Sequence, residues 1–325
     1  ENALKAAFDY RMRKNLKSGF YRSEDDEDRM KILHFRRAFH GRTGYTLSLT
    51  NTDPIKTKYF PKFRWPRIHN PAMRFPLSAE NISFVKHEEE IAINQLKQAV
   101  VEFGKDLAAL IVEPIQAEGG DNHFRKEFFE RVRELCTEND IILIMDEVQT
   151  GIGLTGKMWA HQHFVEPDAI SFGKKTQVCG VLAGNKFKEV EDNVFTTPGR
   201  LNSTFGGNLT DMVRFTKYLQ IISEEKLVEN AAKVGEYLLA KLSEVEQEFP
   251  SIVVNTRGRG LFCAFDMPSP DKRLELRQRV FDKGLLLIGC GERTIRFRPP
   301  LNLSEPEVDE GIEIIRKSLG EMKAD

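Results

Sequence analysis

The sequence has few cysteines, no charge imbalance and no long apolar run, and each absence excludes a class of protein. Its four cysteines are widely separated and form no Cys-x-x-Cys pair, which argues against a zinc site or a disulfide framework and fits a reducing cytoplasm. Forty-eight basic and forty-nine acidic residues leave a net charge of −1, so the electrostatic signature of a nucleic-acid-binding protein is missing. Apolar runs such as 107–112 fall far short of the ~20 residues that a membrane helix needs. We therefore expect a soluble, cytoplasmic protein that acts on small molecules.

Short apolar stretches alternate with longer amphipathic ones along the first two thirds of the chain. The predicted strands are 32–35, 109–114, 141–145, 168–172 and 181–184. Between two of them, residues 124–139 repeat bulky apolar side chains at helical spacing. This alternation predicts an α/β fold with a mostly parallel central sheet and helices on both of its faces.

The pattern changes after about residue 208, where two long helical stretches begin. The remaining segment has a strand-helix-strand-helix pattern, with predicted strands at 258–267 and 294–300. We therefore predict a large domain over residues 1–221 and a smaller C-terminal α+β domain over 222–325.

An acid and a lysine follow two neighbouring predicted strands. Asp146 ends the apolar run 141–145, and Lys174 follows the strand 168–172. Ligands of such sheets gather at the carboxyl ends of the strands. A pyridoxal phosphate enzyme needs this pair, because the acid keeps the pyridinium nitrogen protonated and the lysine forms a Schiff base with the cofactor. Lone lysines are usually solvated surface residues, and it is the paired acid that favours a catalytic function.

The segment 146–151 (DEVQTG), followed by 168–174 (DAISFGK), resembles the signature of the class III, fold type I aminotransferases. The resemblance covers essentially the whole chain and is greatest to the lysine 6-aminotransferases. It implies a fold type I large domain with a small C-terminal domain, and pyridoxal 5′-phosphate as cofactor. The implied reaction moves the ε-amino group of L-lysine to 2-oxoglutarate, which gives 2-aminoadipate 6-semialdehyde and L-glutamate.

The resemblance also implies roles for residues around the cofactor. Gln149 matches the position that hydrogen-bonds the phenolic oxygen, and Phe39 matches the ring that stacks on the pyridine, with His40 beside it. Arg42 matches an arginine that grips the donor carboxylate far from the reacting amine. That bidentate task suits a guanidinium better than an ammonium.

Glu118 matches a gate in the same family. It is expected to pair with an arginine while the amino donor is bound, and then to free that arginine for the α-carboxylate of 2-oxoglutarate or glutamate. The family pattern places the arginine at Arg296, although Arg298 lies two residues on. The gate argues for two alternating substrates and so for transamination.

Ser203 and Thr204 match a loop that one subunit lends to the cofactor phosphate of the other, which implies a homodimer with shared active sites. Asn202 is expected to touch the donor. The two hydroxyl residues would also suit the N-cap of the following helix. The long loop 53–76 is of a kind that is often functional, and a surface excursion or a dimer contact would suit it equally. His161 and His163 are expected to be exposed helix residues that bind no metal.

The sequence is also compatible with other functions. The rival donor is 4-aminobutyrate or another ω-amino acid, and the same lysine and acid would also serve a racemase. The chain begins inside a helical pattern without a methionine, just after the place where family members carry a phosphate-binding loop. It is therefore expected to be N-terminally incomplete, and a catalytically inactive fragment that binds neither cofactor nor substrate is a further alternative.

Overall fold

Six strands form the larger sheet of the computed structural model, which describes residues 1–324 and the side chains of residues 1–322. In chain order the strands are β1 (Lys31–Phe35), β2 (Arg67–Ile68), β3 (Leu107–Val112), β4 (Ile142–Asp146), β5 (Ala169–Phe172) and β6 (Gly180–Ala183). They lie in the order β2-β1-β3-β4-β5-β6, and every neighbouring pair is parallel except β5 with β6. The prediction of a mostly parallel central sheet is confirmed.

Helices cover both faces of this sheet. They are α1 (Asn2–Lys17), α2 (Gly44–Leu49), α3 (Ala79–Phe103) and α4 (Lys126–Glu138). Alternate residues of β4 serve the two faces: Ile142 and Ile144 pack with α1, whereas Leu143 and Met145 pack with α3 and α4. Strands buried on both faces need apolar side chains at every position, which is why β3 and β4 are continuous apolar runs.

The second sheet has four antiparallel strands. They are β7 (Val254–Arg259), β8 (Phe262–Asp266), β9 (Ile288–Cys290) and β10 (Thr294–Phe297), in the order β7-β8-β10-β9. Helices α5 (Leu209–Glu224) and α6 (Leu227–Glu248) lead into this part, and α7 (Pro270–Asp282) and α8 (Glu305–Ala324) complete it. The faces of α6, α7 and α8 that meet the sheet form the second core.

Two sequence expectations for this part need correction. Residues 258–267 were expected to form one strand, yet Gly260 adopts φ +56° and turns the chain, so that β7 and β8 form a hairpin. Strand β9 was not foreseen, because three residues are too few to show a periodic pattern. The predicted domain boundary after residue 221 falls inside α5 and stays a prediction.

No helix within the described residues is both long enough and apolar enough to cross a membrane.

Candidate active site

Strands β4 and β5 bring an acid and a lysine to the same edge of the larger sheet. Asp146 pairs in register with Ser171, and Lys174 follows three residues later. Lys174 has φ +54°, a left-handed conformation that lysine seldom adopts and that is concentrated at functional sites. The lysine and Gln149 line a cavity of about 550 Å³ whose wall also includes Tyr218.

The lysine next in the chain has a different environment. Lys175 is largely buried, and its ammonium donates a hydrogen bond of 2.6 Å to the Gln149 carbonyl oxygen. Burial, with a smaller contribution from the nearby Arg298 guanidinium, lowers the pKa of Lys175 to about 8. The Lys174 side chain is exposed, and its ammonium has no hydrogen-bond acceptor within residues 1–322. Sequence reasoning missed Lys175, because a second lysine carries no signal of burial.

The Asp146 carboxylate is oriented by two donors. His40 Nδ1 lies 2.8 Å from Asp146 Oδ2, and the Val148 backbone N–H donates to Oδ1 over 3.1 Å. A carboxylate only accepts hydrogen bonds, so Nδ1 carries the proton. The His40 side chain is fully buried, and its other nitrogen, Nε2, has no partner in the part of the chain that the structure describes. The structure therefore joins two of the predicted cofactor-contacting residues into one hydrogen-bonded pair.

Glu113 connects two segments of the site through hydrogen bonds to their backbones. Its carboxylate accepts backbone hydrogen bonds from Phe39 and Ala117, each of 3.0 Å. Burial raises the pKa of Glu113 to about 7, while His40 lowers it and Asp146 raises it further. One buried carboxylate thus holds both the segment that carries Phe39 and the segment that leads to Glu118.

Two cationic side chains flank the Phe39 ring. The Arg42 guanidinium carbon lies 5.9 Å from the ring centroid, and Lys56 Nζ lies 5.5 Å from it. Both distances are within the range of a cation–π interaction. Arg42 is exposed, so its guanidinium can reach a carboxylate that enters from solvent.

Glu118 lies between Lys56 and Arg296. Its Oε2 is 3.3 Å from Arg296 Nη2, and its Oε1 accepts a hydrogen bond from Lys56 Nζ. Arg298 is turned away, because it binds Asp121 at 2.6 Å and its guanidinium carbon lies 3.2 Å from the centroid of the Phe262 ring. Strand β10 ends at Phe297, so the two arginines do not continue one strand face. Of the two candidates, the structure therefore brings Arg296 to the glutamate.

The segment Asn202 to Thr204 is not brought to the other predicted site residues. All three residues are exposed. Within the described part of the chain, no hydrogen bond joins their side chains to Lys174 or Asp146. Asn208, and not Ser203 or Thr204, caps α5, because its side chain accepts from Asp211 N. The N-cap alternative for the two hydroxyl residues is therefore wrong.

The expectation of exposed histidines at 161 and 163 is also wrong. His161 is buried, and both its backbone N–H and its Nδ1 lie within 3.1 Å of the Glu147 carboxylate. His163 is partly buried, with Nε2 3.1 Å from the Thr155 carbonyl oxygen. A buried carboxylate needs hydrogen-bond donors, and the Glu147 carboxylate also accepts hydrogen bonds from the Thr150 hydroxyl and the Ala160 backbone N–H.

The polar atoms left without partners fit pyridoxal phosphate. Within the described residues, the Lys174 ammonium and the Gln149 side-chain amide have no hydrogen bond, and the Asp146 carboxylate is held by His40 Nδ1. Phe39 offers a half-buried ring. An acid for the ring nitrogen, an amine for the carbonyl carbon and an aromatic face are the groups this cofactor requires.

Comparisons with known proteins agree with this chemistry. The model of the family "Aminotransferase class-III" matches residues 1–319. The L-lysine-epsilon aminotransferase of Mycobacterium tuberculosis is 51% identical over 320 residues, which span 98% of this chain and 70% of that protein. That of Streptomyces clavuligerus is 44% identical, with 98% and 69% covered. Human mitochondrial 4-aminobutyrate aminotransferase is 35% identical, with 93% and 62% covered.

A solved structure shows the same fold. A lysine aminotransferase from M. tuberculosis superposes with a TM-score of 0.93 at 50% sequence identity, over 98% of this chain and 72% of that one. A match of this extent, together with the acid and lysine at neighbouring strand ends, leaves one conclusion: this chain belongs to the class-III aminotransferases, a family of pyridoxal phosphate-dependent enzymes.

Proposed function

We propose that this protein transfers the ε-amino group of L-lysine to 2-oxoglutarate, giving 2-aminoadipate 6-semialdehyde and L-glutamate. The observation that carries the proposal is that Asp146 and Lys174 lie at the carboxyl ends of the neighbouring strands β4 and β5, in a chain 51% identical to an L-lysine-epsilon aminotransferase. Proteins named 4-aminobutyrate aminotransferase are more distant, at 35–36% identity, which favours lysine as the donor.

The proposed chemistry assigns distinct tasks to residues at the sheet edge. Pyridoxal phosphate, when bound, supplies a carbonyl carbon that links to amines and a ring that accepts electrons. Lys174 would provide the amine that holds this carbon. When the substrate amine takes its place, the freed Lys174 amine would accept the proton from the substrate carbon and return it. Asp146, oriented by His40, keeps the ring nitrogen protonated. Gln149 binds the phenolic oxygen, and Phe39 stacks on the ring.

Substrate binding is assigned to three charged residues. Arg42, beside the Phe39 ring, binds the carboxylate of the amino donor. Glu118 pairs with Arg296 during that half-reaction. When 2-oxoglutarate enters, Glu118 moves away and Arg296 binds the α-carboxylate, so one site accepts two substrates of different charge. Asn202 is assigned to the donor.

We also propose a homodimer with shared active sites. Ser203 and Thr204 are exposed, and within the described residues their side chains make no hydrogen bond to Lys174 or Asp146, as expected if they bind the phosphate of a second copy. Apolar side chains around them are exposed as well, with Phe205 at 82% and Leu209 at 83%. Large exposed apolar side chains that cluster in this way are typical of an interface. The cytoplasmic location and the domain boundary after residue 221 remain predictions.

The test compares two donors and two neighbouring lysines. With pyridoxal phosphate bound, L-lysine is expected to change the visible absorption of the protein and 4-aminobutyrate is not. Borohydride is expected to fix the cofactor to the wild type and to Lys175→Ala, but not to Lys174→Ala. A spectral response to 4-aminobutyrate alone would establish the rival donor. Fixation that survives in Lys174→Ala and is lost in Lys175→Ala would move the catalytic amine to the buried lysine, and no cofactor binding at all would support the inactive-fragment alternative.

A further inference from the structure

Lys56 is a charged residue at the site to which neither the sequence pattern nor the proposed reaction assigned a task. It ends a short 3-10 helix, Pro54–Lys56, in the long loop 53–76. Asp53 caps this helix by accepting from Ile55 N over 3.0 Å. Further along the loop, Lys62 Nζ donates to the Thr57 carbonyl oxygen over 2.6 Å. Neither hydrogen bond uses the Lys56 side chain, which contacts Glu118.

The Lys56 ammonium shares the Glu118 carboxylate with Arg296. One carboxylate oxygen faces each cation. The lysine and arginine side chains are 14% and 12% exposed, and that of the glutamate is 28% exposed. Charge interactions are stronger in such partly desolvated surroundings than at an open surface. Glu118 thus has two cationic partners, one on each side.

Arg296 keeps unused hydrogen-bonding capacity. Its Nε and Nη1 are buried and have no partner among the described residues, and Glu118 occupies Nη2 alone. A guanidinium binds a carboxylate best through two parallel hydrogen bonds. The free edge of Arg296 can therefore receive a substrate carboxylate once Glu118 has withdrawn from Nη2.

We propose that Lys56 is a positioning residue that receives the Glu118 carboxylate when a dicarboxylic substrate takes Arg296. This inference rests on the proposed alternation of Glu118 and deepens it. In the structure the Lys56 ammonium faces only one oxygen of the Glu118 carboxylate, because the other faces Arg296. Once Glu118 has left Arg296, both of its oxygens can turn to the ammonium, so the Lys56 contact is stronger in the state in which Arg296 is free. Lys56 therefore lowers the free-energy cost of freeing Arg296, and it does so only for the substrate that needs Arg296.

The simplest rival explanation is a general effect of positive charge. An ammonium near the site would attract every carboxylate, including that of the amino donor at Arg42. The two explanations differ in what they predict for the two substrates. If Lys56 receives the Glu118 carboxylate, it strengthens binding of the dicarboxylate alone, and the effect requires Glu118. If Lys56 acts by general attraction, it strengthens binding of both substrates, and the effect does not depend on Glu118.

The test measures dicarboxylate binding in the cofactor-loaded protein. Glutarate, which lacks the reacting carbonyl group, is titrated by calorimetry into the wild type, Lys56→Met, Lys56→Arg and the matched control Lys58→Met. Lys58 belongs to the same loop but its ammonium lies over Tyr59, 4.8 Å from the ring centroid. Lys56→Met is expected to weaken glutarate about fivefold, Lys56→Arg to restore most of the affinity, and Lys58→Met to leave it unchanged. The KM for 2-oxoglutarate should rise in parallel, with kcat and the KM for the donor nearly constant.

The Glu118→Gln variant distinguishes a failure of this inference from a failure of the proposed alternation of Glu118. Without the glutamate carboxylate, Lys56→Met should have no further effect on glutarate. The inference is overturned if Lys56→Met weakens glutarate and the amino donor equally, or if it does not weaken glutarate binding at all. In either case the alternation of Glu118 still stands, provided that Glu118→Gln itself strengthens glutarate binding. If Glu118→Gln leaves glutarate binding unchanged, the alternation of Glu118 is wrong and the inference fails with it.

Discussion

At the residue scale, the site depends on the contrast between two adjacent lysines. The left-handed turn at Lys174, followed by a second one at Gln177 with φ +59°, sends consecutive side chains in different directions. The Lys174 ammonium has no acceptor among the side chains and backbone that the structure describes, whereas the Lys175 ammonium packs against the Gln149 carbonyl oxygen. Lys175 thereby ties the segment that follows β5 to the segment that follows β4. This contact keeps Gln149 and Lys174 on the same wall of the cavity.

The lowered pKa of Lys175 predicts a pH dependence of stability. An unfolded lysine takes up its proton near pH 10.5, whereas folded Lys175 does so only near pH 8. Between these values the unfolded state binds more protons, so lowering the pH favours unfolding. As the pH falls from 10.5 to 8, we expect the wild type to lose up to about 3 kcal/mol more free energy of unfolding than Lys175→Met. Urea denaturation at pH 8, 9 and 10 measures the difference.

The lost hydrogen bond to Gln149 is controlled with Lys175→Gln, which keeps a donor but does not titrate. Its absolute free energy of unfolding can differ from that of Lys175→Met, but its pH slope should be the same. If the slopes of the wild type and both variants coincide, Lys175 remains protonated in the folded state up to its ordinary pKa, and burial does not lower the pKa of this lysine.

At the scale of secondary-structure elements, long apolar runs in the sequence predict strands. Features that depend on the pairing of strands are not predicted. The five predicted strands of the larger sheet are all present, and two of them, β3 and β4, are buried throughout, which requires apolar side chains on both faces. The two-residue strand β2 was not predicted, because its single buried residue, Ile68, gives no pattern. The antiparallel direction of β6 follows from the short turn after Lys174, and no propensity reveals it.

Two glycines within helices show how helix propensity and tertiary packing can affect stability in opposite directions. Alanine is favoured over glycine within a helix by about 0.5–1 kcal/mol. At Gly235 in α6, however, an added Cβ would collide with the backbone of Gly260 in the β7–β8 turn. Backbone cannot yield as a side-chain end can, so we expect Gly235→Ala to destabilise the protein by about 2 kcal/mol or more. At Gly311 in α8 the nearest atom to such a Cβ, Leu285 Cδ1, is 3.9 Å away, and Gly311→Ala should be stabilising.

The two variants are compared by their urea midpoints, with far-UV circular dichroism as the signal. Opposite shifts are expected. A stabilising Gly235→Ala would show that α6 and the β7–β8 turn can separate at little cost, and that the close approach of Gly235 and Gly260 does not hold the smaller sheet in place.

At the scale of the whole molecule, the candidate site combines segments that are far apart in the chain. Motif resemblance predicted the acid, the lysine and the gate, because each carries its chemistry in a short segment. It did not predict the contact of Lys56 with Glu118, which joins residues 62 positions apart, nor the support that Glu113 gives to two loops. Such contacts depend on how loops pack, and a single sequence carries no local sign of them.

The proposed dimer predicts complementation between two defective variants. Lys174→Ala removes the catalytic amine, and Thr204→Glu places a negative charge where the phosphate of the other subunit is expected to bind. In a mixed dimer, one site combines both defects and the other has neither, because the two residues of one site come from different chains. Random assembly of equal amounts makes half of the dimers mixed, so we expect about a quarter of the wild-type activity from two nearly inactive proteins. Unfolding and refolding them together, with each variant alone as control, provides the measurement. If mixed dimers form and activity does not return, Thr204 acts within its own chain. The exposed segment from Asn202 to Thr204 would then have to fold back onto its own site.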